Sequence, residues 1–176
     1  MFAIINNLLI LKNMKNSLSE KELGFISKLE LKNKYFFTRD EIKDNFNSIN
    51  EMNVYLHRLK KKRRIIKLNK TKYYLIPVKA VKNNWSEHPY IIIDEIMNGE
   101  NYCIVGKAAA YYWKHIDQIP FEYEIYNTKI HKKIKLFNTR FNFKKRREKN
   151  LPKHEIKKIY EHNFKIASKK ESKKWI

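Results

Sequence analysis

The chain has 176 residues, with 39 Lys+Arg against 18 Asp+Glu, a formal net charge of +21, 43% apolar residues and 14% aromatics. That apolar content builds one core or two small ones and excludes global disorder, while the charge points to a partner carrying regular negative charge. Three glycines and the single Cys103 argue against Rossmann and Walker-type phosphate cradles, an internal disulfide and a multi-cysteine zinc site.

Met1 to Leu11 is apolar, but Asn6 and Asn7 interrupt it and no basic region precedes it, so it makes a poor secretory signal. Met14 fits a start as well as Met1, and residues 1–17 read as an N-terminal extension. No window reaches the roughly 18 uninterrupted apolar residues of a membrane span. No membrane partner is expected, and the lone cysteine suits a reducing, cytoplasmic setting.

From Glu20 to Lys32, Leu23, Ile26 and Leu29 recur at three-residue spacing, which predicts a helix with one apolar stripe. The aromatic run Tyr35-Phe36-Phe37 leads into Thr38, three residues before Glu41, a capping box that opens a short helix with Ile42 and Phe46 inward. Ser48 and Glu51 repeat that spacing and open a third helix. There Ile49, Met52, Leu56 and Leu59 fall on one face, and Asn50, Val54, His57, Arg58 and Lys61 on the other. The run Lys60 to Arg64 complements the negative end of that helix. Ile65 to Leu68 and Tyr73 to Ile76 read as strands joined by Asn69-Lys70-Thr71-Lys72, a hairpin with a basic tip.

Three helices followed by a basic hairpin is the order of a winged helix-turn-helix, whose third helix enters the DNA major groove. Asn50, Asn53, His57 and Arg58 are the expected base readers, since Asn and Arg suit bidentate contacts to adenine and guanine. Thr38, Arg39, Lys61, Lys67, Lys70 and Lys72 are expected to hold phosphates.

Past Pro77 the pattern changes. Ser86 is expected to cap a helix from Pro89 to Met97 that stops at Asn98-Gly99. A buried strand follows at Tyr102 to Val105, then an Ala-rich helix at Lys107 to Trp113. Phe121, Tyr123 and Ile125 alternate with Glu122 and Glu124 as a half-exposed strand does. Strands are expected at Lys133 to Phe137 and Thr139 to Phe143, and a last helix from Pro152 to about His162. The fold class is therefore α+β: a winged helix over residues 18–80 followed by a small α/β domain over residues 81–176.

Both regions are basic, with 18 Lys+Arg and 7 acids in residues 1–80 and 21 and 11 in residues 81–176. In the second, Lys132, Lys133, Lys135, Arg140, Lys144, Lys145, Arg146 and Arg147 are expected to form one outer basic face. Phe137, Phe141 and Phe143 interleave with them as in single-strand binders, although the two-residue spacing of Phe141 and Phe143 favours the buried face of a strand.

Signatures of catalysis are weak. Gly99 stands seven residues before Gly106, not five, and Ala108 occupies the place of the magnesium-binding hydroxyl, so Gly106-Lys107 is no phosphate loop. The six histidines show no H-x-x-x-H spacing; no metal, no cofactor and no enzyme are expected. The least favoured reading is a magnesium-dependent nuclease built on Glu122 and Glu124 with Asp117 nearby. The triplets Glu30-Leu-Lys32, Glu41-Ile-Lys43 and Glu155-Ile-Lys157 all fall in predicted helices. The first alternative to a DNA-binding regulator is an RNA-binding or single-strand-binding accessory protein using the His131 to Lys149 surface.

The stretch Tyr35-Phe36-Phe37-Thr38-Arg39-Asp40-Glu41-Ile42, then Val54-Tyr55-Leu56-His57-Arg58-Leu59-Lys60 and Lys72-Tyr73-Tyr74-Leu75-Ile76-Pro77, resembles the N-terminal winged helix of AbiEi-type antitoxins. Asn101 to Ala109, Ile116-Asp117-Gln118-Ile119-Pro120, and Phe164 to Glu171 are similar to segments of that family's second domain. The resemblance implies a regulator of a type IV toxin-antitoxin system. Such a protein represses its own promoter, with that double-stranded DNA as partner, and counters a nucleotidyltransferase-like toxin without direct contact being implied.

Overall fold

The computed structural model describes residues 17–77 and 86–176, which hold six α-helices and two β-sheets, a mixed α+β protein. The chain divides into the units Met1–Trp85 and Ser86–Ile176. The expected boundary at residue 80 and nearly all of the N-terminal extension lie outside the described residues.

In the first unit, Ser19 and Glu22 form a reciprocal capping box that starts α1 (Glu20–Leu31). Its buried stripe is Glu22, Phe25, Ile26 and Leu29, and Leu23 is left 46% exposed, so the expected stripe is corrected by a rotation of the face. The cause is Glu22, whose carboxylate turns inward to accept from Ser19 N and Lys62 Nζ. A strand that the sequence reading did not anticipate, β1 (Phe36–Thr38), uses the aromatic run. Thr38 then caps α2 (Arg39–Ile42), a single turn continued by a 3-10 turn at Lys43–Asn45.

Ser48 opens α3 (Ile49–Lys61) by accepting from Glu51 N, but Glu51 Oε2 accepts from Asn47 N, so the second capping box is displaced by one residue. Met52, Leu56 and Leu59 are buried as expected, whereas Ile49, in the first turn, is 71% exposed. The helix ends in a full Schellman turn: Arg63 N donates to Lys60 O, Arg64 N donates to Leu59 O, and Arg63 takes the left-handed φ of 56° usually given to glycine. The chain then enters β2 (Ile65–Lys67) and β3 (Lys72–Leu75), which with β1 make an antiparallel sheet of order β1-β3-β2. Phe25, Ile26, Leu56, Leu59, Ile65 and Leu75 share one core, with Phe46 and Tyr55 packed on its edge.

In the second unit, α4 (Pro89–Met97) carries Pro89 at its first turn and Asn98 and Gly99 at its left-handed end. Its cap is His88, whose ring accepts from Tyr90 N, and not Ser86. The fully buried β4 (Tyr102–Val105) leads into α5 (Gly106–Tyr112), where Ala108, Ala109 and Ala110 are wholly enclosed. β5 (Glu122–Asn127), β6 (Lys132–Leu136) and β7 (Thr139–Lys145) follow.

The expected helix from Pro152 to His162 is absent. That segment forms β8 (His154–Ile159) and, after a turn with Tyr160 at φ 51°, β9 (His162–Ala167) begins. Half-buried and exposed residues alternate along β8, the period of a strand with one covered face. A one-turn helix, α6 (Lys169–Ser172), closes the unit. The six-stranded sheet runs β6-β7-β5-β4-β9-β8, parallel at β5–β7 and β4–β9 and antiparallel elsewhere.

Tyr90 of α4 stacks on Phe164 at 4.8 Å and meets Tyr123 edge-on, and its hydroxyl donates to Ala108 O. Trp113 Nε1 donates to Ala167 O at 2.7 Å. Phe141 and Phe143 are buried, as their spacing favoured.

Candidate nucleic-acid interface

The amphipathic spacing of α3 sets its exposed face. With Met52, Leu56 and Leu59 inside, Asn50, Val54, His57, Arg58 and Lys61 project outward, all exposed. Asn53 is half-buried with its Oδ1 enclosed and unpartnered, so it is less open to a base edge than its neighbours.

The side chains expected to hold phosphates divide by what each already does. Thr38 is committed to its cap: its N and Oγ1 both donate to Glu41 Oε2, at 2.6 and 3.0 Å, and Oγ1 accepts from Glu41 N. Burial alone would raise the Glu41 carboxyl, but Lys34 at 2.8 Å and Thr38 outweigh it and hold the group below its ordinary value. Arg39 is half-buried with its Nε enclosed and unpartnered.

Of the run after Leu59, Lys60, Lys61 and Arg63 are exposed, while Lys62 turns inward to Glu22. In the hairpin, Asn69 Oδ1 accepts from Thr71 N and Lys72 N, a side-chain turn that fixes the tip and leaves Lys70 exposed. Lys67 is exposed with its Nζ 5.9 Å from the centre of the Tyr73 ring, and Lys72 is half-buried.

The second unit's basic residues do not share one face. Strand register sets Lys133 opposite Asn142 and Lys135 opposite Arg140, whereas Lys132 and Lys145 have the opposite parity. Lys144 pairs with Glu124 at 2.9 Å, Arg146 lies over the Tyr126 ring at 5.0 Å, and Arg147 is exposed beyond the strand. Glu122 accepts from Asn142 Nδ2 at 3.1 Å. Both carboxylates of the nuclease reading are thus engaged, and among the described residues no group of three His, Cys, Asp or Glu could hold a metal ion. Glu155-Ile156-Lys157 lies on a strand rather than a helix, with the pair closed at 2.7 Å. Cys103 is fully buried, and burial pushes its thiol up to about 12.

Sequence reasoning missed the buried Glu22–Lys62 pair and the association of Lys107 and Phe121 with Glu122 and Glu124 around one pocket. The alternation groups Phe121 with Tyr123 and Ile125, but Phe121 lies just before β5 and is exposed while the other two are buried. Among the described residues no helix is long and apolar enough to cross a membrane. No protein-family model matches the chain, and no curated protein matches it.

Proposed function

We propose that this chain is a non-enzymatic, sequence-specific DNA-binding regulator whose first unit acts as a winged helix, with α3 as reading helix and the β2–β3 hairpin as wing. The observation that carries the reading is the outer face of α3, where Asn50, His57, Arg58 and Lys61 stand exposed around Val54 while the opposite stripe is buried. Amides and guanidinium groups read base edges, and an apolar side chain among them suits a thymine methyl. The exposed Lys67 and Lys70 of the hairpin supply phosphate contacts. The resemblance to AbiEi-type antitoxins extends the proposal to self-repression and to countering a nucleotidyltransferase-like toxin in the cytoplasm.

The test is a binding titration of the full chain on duplex DNA from its own upstream region and on random duplex, across a salt series. Preference for the upstream duplex that persists as salt rises is expected. Equal affinity for both at every salt concentration overturns sequence-specific reading.

A further inference from the structure

The outer face of β5, β7 and β6 holds a groove that the proposed DNA reading does not use. Lys107, Phe121, Glu122 and Glu124, with the Gln118–Pro120 loop, surround a pocket of about 280 Å³. Glu122 also lines a neighbouring hollow of about 190 Å³ with Lys133, Lys135, Arg140 and Asn142. The register explains the continuity: Glu122, Arg140 and Lys135 lie in one row across three strands, and Glu124, Asn142 and Lys133 in the next.

Phe121 is 65% exposed, and the Arg140 guanidinium lies 5.6 Å from its ring centre. An exposed aromatic ring among cations is the make-up of a base-stacking platform. The charge is graded along the groove. Glu124 is balanced by Lys144, and Glu122 accepts one bond from Asn142, leaving further lone pairs on a group that only accepts. Lys107, Lys133, Lys135 and Arg140 then leave the groove net positive. Cations along the margin suit phosphates. The carboxylate on the floor, beside the ring, suits an amino group. One polymer offers both at once, and its base reaches the floor only when unpaired and unstacked.

We propose that this groove binds single-stranded nucleic acid, seating one amino-bearing base against Phe121 with its N–H groups donating to Glu122, and carrying the flanking phosphates on Lys107, Lys133, Lys135 and Arg140. The site belongs to the second unit alone and stands whether or not α3 reads DNA.

The experiment uses the full chain and fluorescent 12-mers of deoxycytidine, thymidine and cytidine. Tighter binding of the cytosine strands than of the thymine strand is expected, because thymine carries a carbonyl oxygen where cytosine carries the amino group that would donate to Glu122. A preference between the deoxycytidine and cytidine strands names the source, through the 2′-hydroxyl. Phe121→Ala is expected to weaken cytosine-strand binding about 5- to 100-fold, and Phe121→Trp to keep it. Glu122→Gln is expected to erase the preference for cytosine over thymine. Replacing Lys133 and Lys135 with Ala is expected to flatten the log–log salt slope by about 0.7 per lysine. Phe121→Ala that binds like the unchanged chain overturns the proposal. So does loss of strand binding in Arg58→Ala, which would move the strand to α3. Because Phe121 is exposed, an unchanged thermal midpoint for its variants separates loss of the site from loss of fold.

Discussion

Lys62, at the end of α3, reaches Glu22 in the first turn of α1, and the two charges meet at 2.5 Å although Glu22 is only 2% exposed. The contact withdraws one lysine from an otherwise exposed basic run and ties the proposed reading helix to the helix behind it. Burial by itself would raise the Glu22 carboxyl, but the Lys62 ammonium and Ser19 outweigh it and hold the group below its ordinary 4.5.

Removing one partner strands the other. Lys62→Met should lower stability by about 3 kcal/mol, and adding Glu22→Leu should restore part of that loss, less the capping bond that Ser19 N donates to Glu22. Because the folded carboxyl titrates below its unfolded value, the pair's stabilisation is fully present above about pH 4.5 and disappears as pH falls through the folded value. Urea unfolding from pH 7 down to pH 3 should show this loss in the unaltered chain and not in the double variant. Equal acid sensitivity in both would contradict the assignment.

Arg58 and Lys70 should separate base reading from phosphate holding. Arg58→Ala should cost about 1 to 3 kcal/mol on the preferred duplex and little on random DNA. Lys70→Ala should weaken both alike and reduce the salt slope by about one. Anisotropy titrations at several salt concentrations measure both quantities, and a uniform loss for Arg58→Ala would rule it out as a base reader.

Thr38 tests a different distinction. Its hydroxyl is already occupied by Glu41, so Thr38→Ala should destabilise by about 1 kcal/mol through loss of the cap, while Thr38→Ser should not. DNA affinity, measured well below the unfolding transition, should change little in either variant. A specific affinity loss in Thr38→Ala that Ser rescues would restore it as a phosphate ligand.

In the second unit, the Tyr102 hydroxyl donates to Asp94 Oδ1 at 2.7 Å and accepts from Lys165 N at 3.0 Å. Burial, and then the Asp94 carboxylate, push its phenol well above its usual range. Tyr102→Phe removes both of these hydrogen bonds and should cost about 1 to 3 kcal/mol. The unfolding midpoint of the full chain measures this.

The two units should also divide the work. Residues 17–85 alone should fold and keep preference for the upstream duplex, while the second unit adds affinity that falls steeply with salt. Rescue of cells from a co-expressed nucleotidyltransferase-like toxin should require the full chain. Rescue by residues 17–85 alone would reverse that division.

Features governed by local spacing were legible in the sequence. The Thr38–Glu41 box, the outer face of α3, the hairpin and the alternation of β5 all depend on residues a few positions apart. The failures lie where local spacing points the wrong way or where distant residues decide. Ile156 and Ile159 sit three apart, the spacing of one helix face, yet pairing with β9 makes the segment a strand and puts them on opposite faces, with Ile156 exposed. Leu23 lost its place to Glu22 because Lys62 lies forty positions away. The groove at Phe121 depends on the parallel register of β5 and β7, which no local pattern encodes.

The strand order puts β6 and β8 at the two rims of the larger sheet, and both are lysine-bearing: Lys132, Lys133 and Lys135 on one, Lys157 and Lys158 on the other. A rim with unpaired backbone groups is a template for another copy of the same chain, and lysine there makes such stacking unfavourable. Part of the chain's positive charge therefore stands where it would disfavour edge-to-edge pairing of two copies, whatever it does for a polyanion. Neutralising Lys158, which lies outside both proposed sites, would test that guard without touching either ligand.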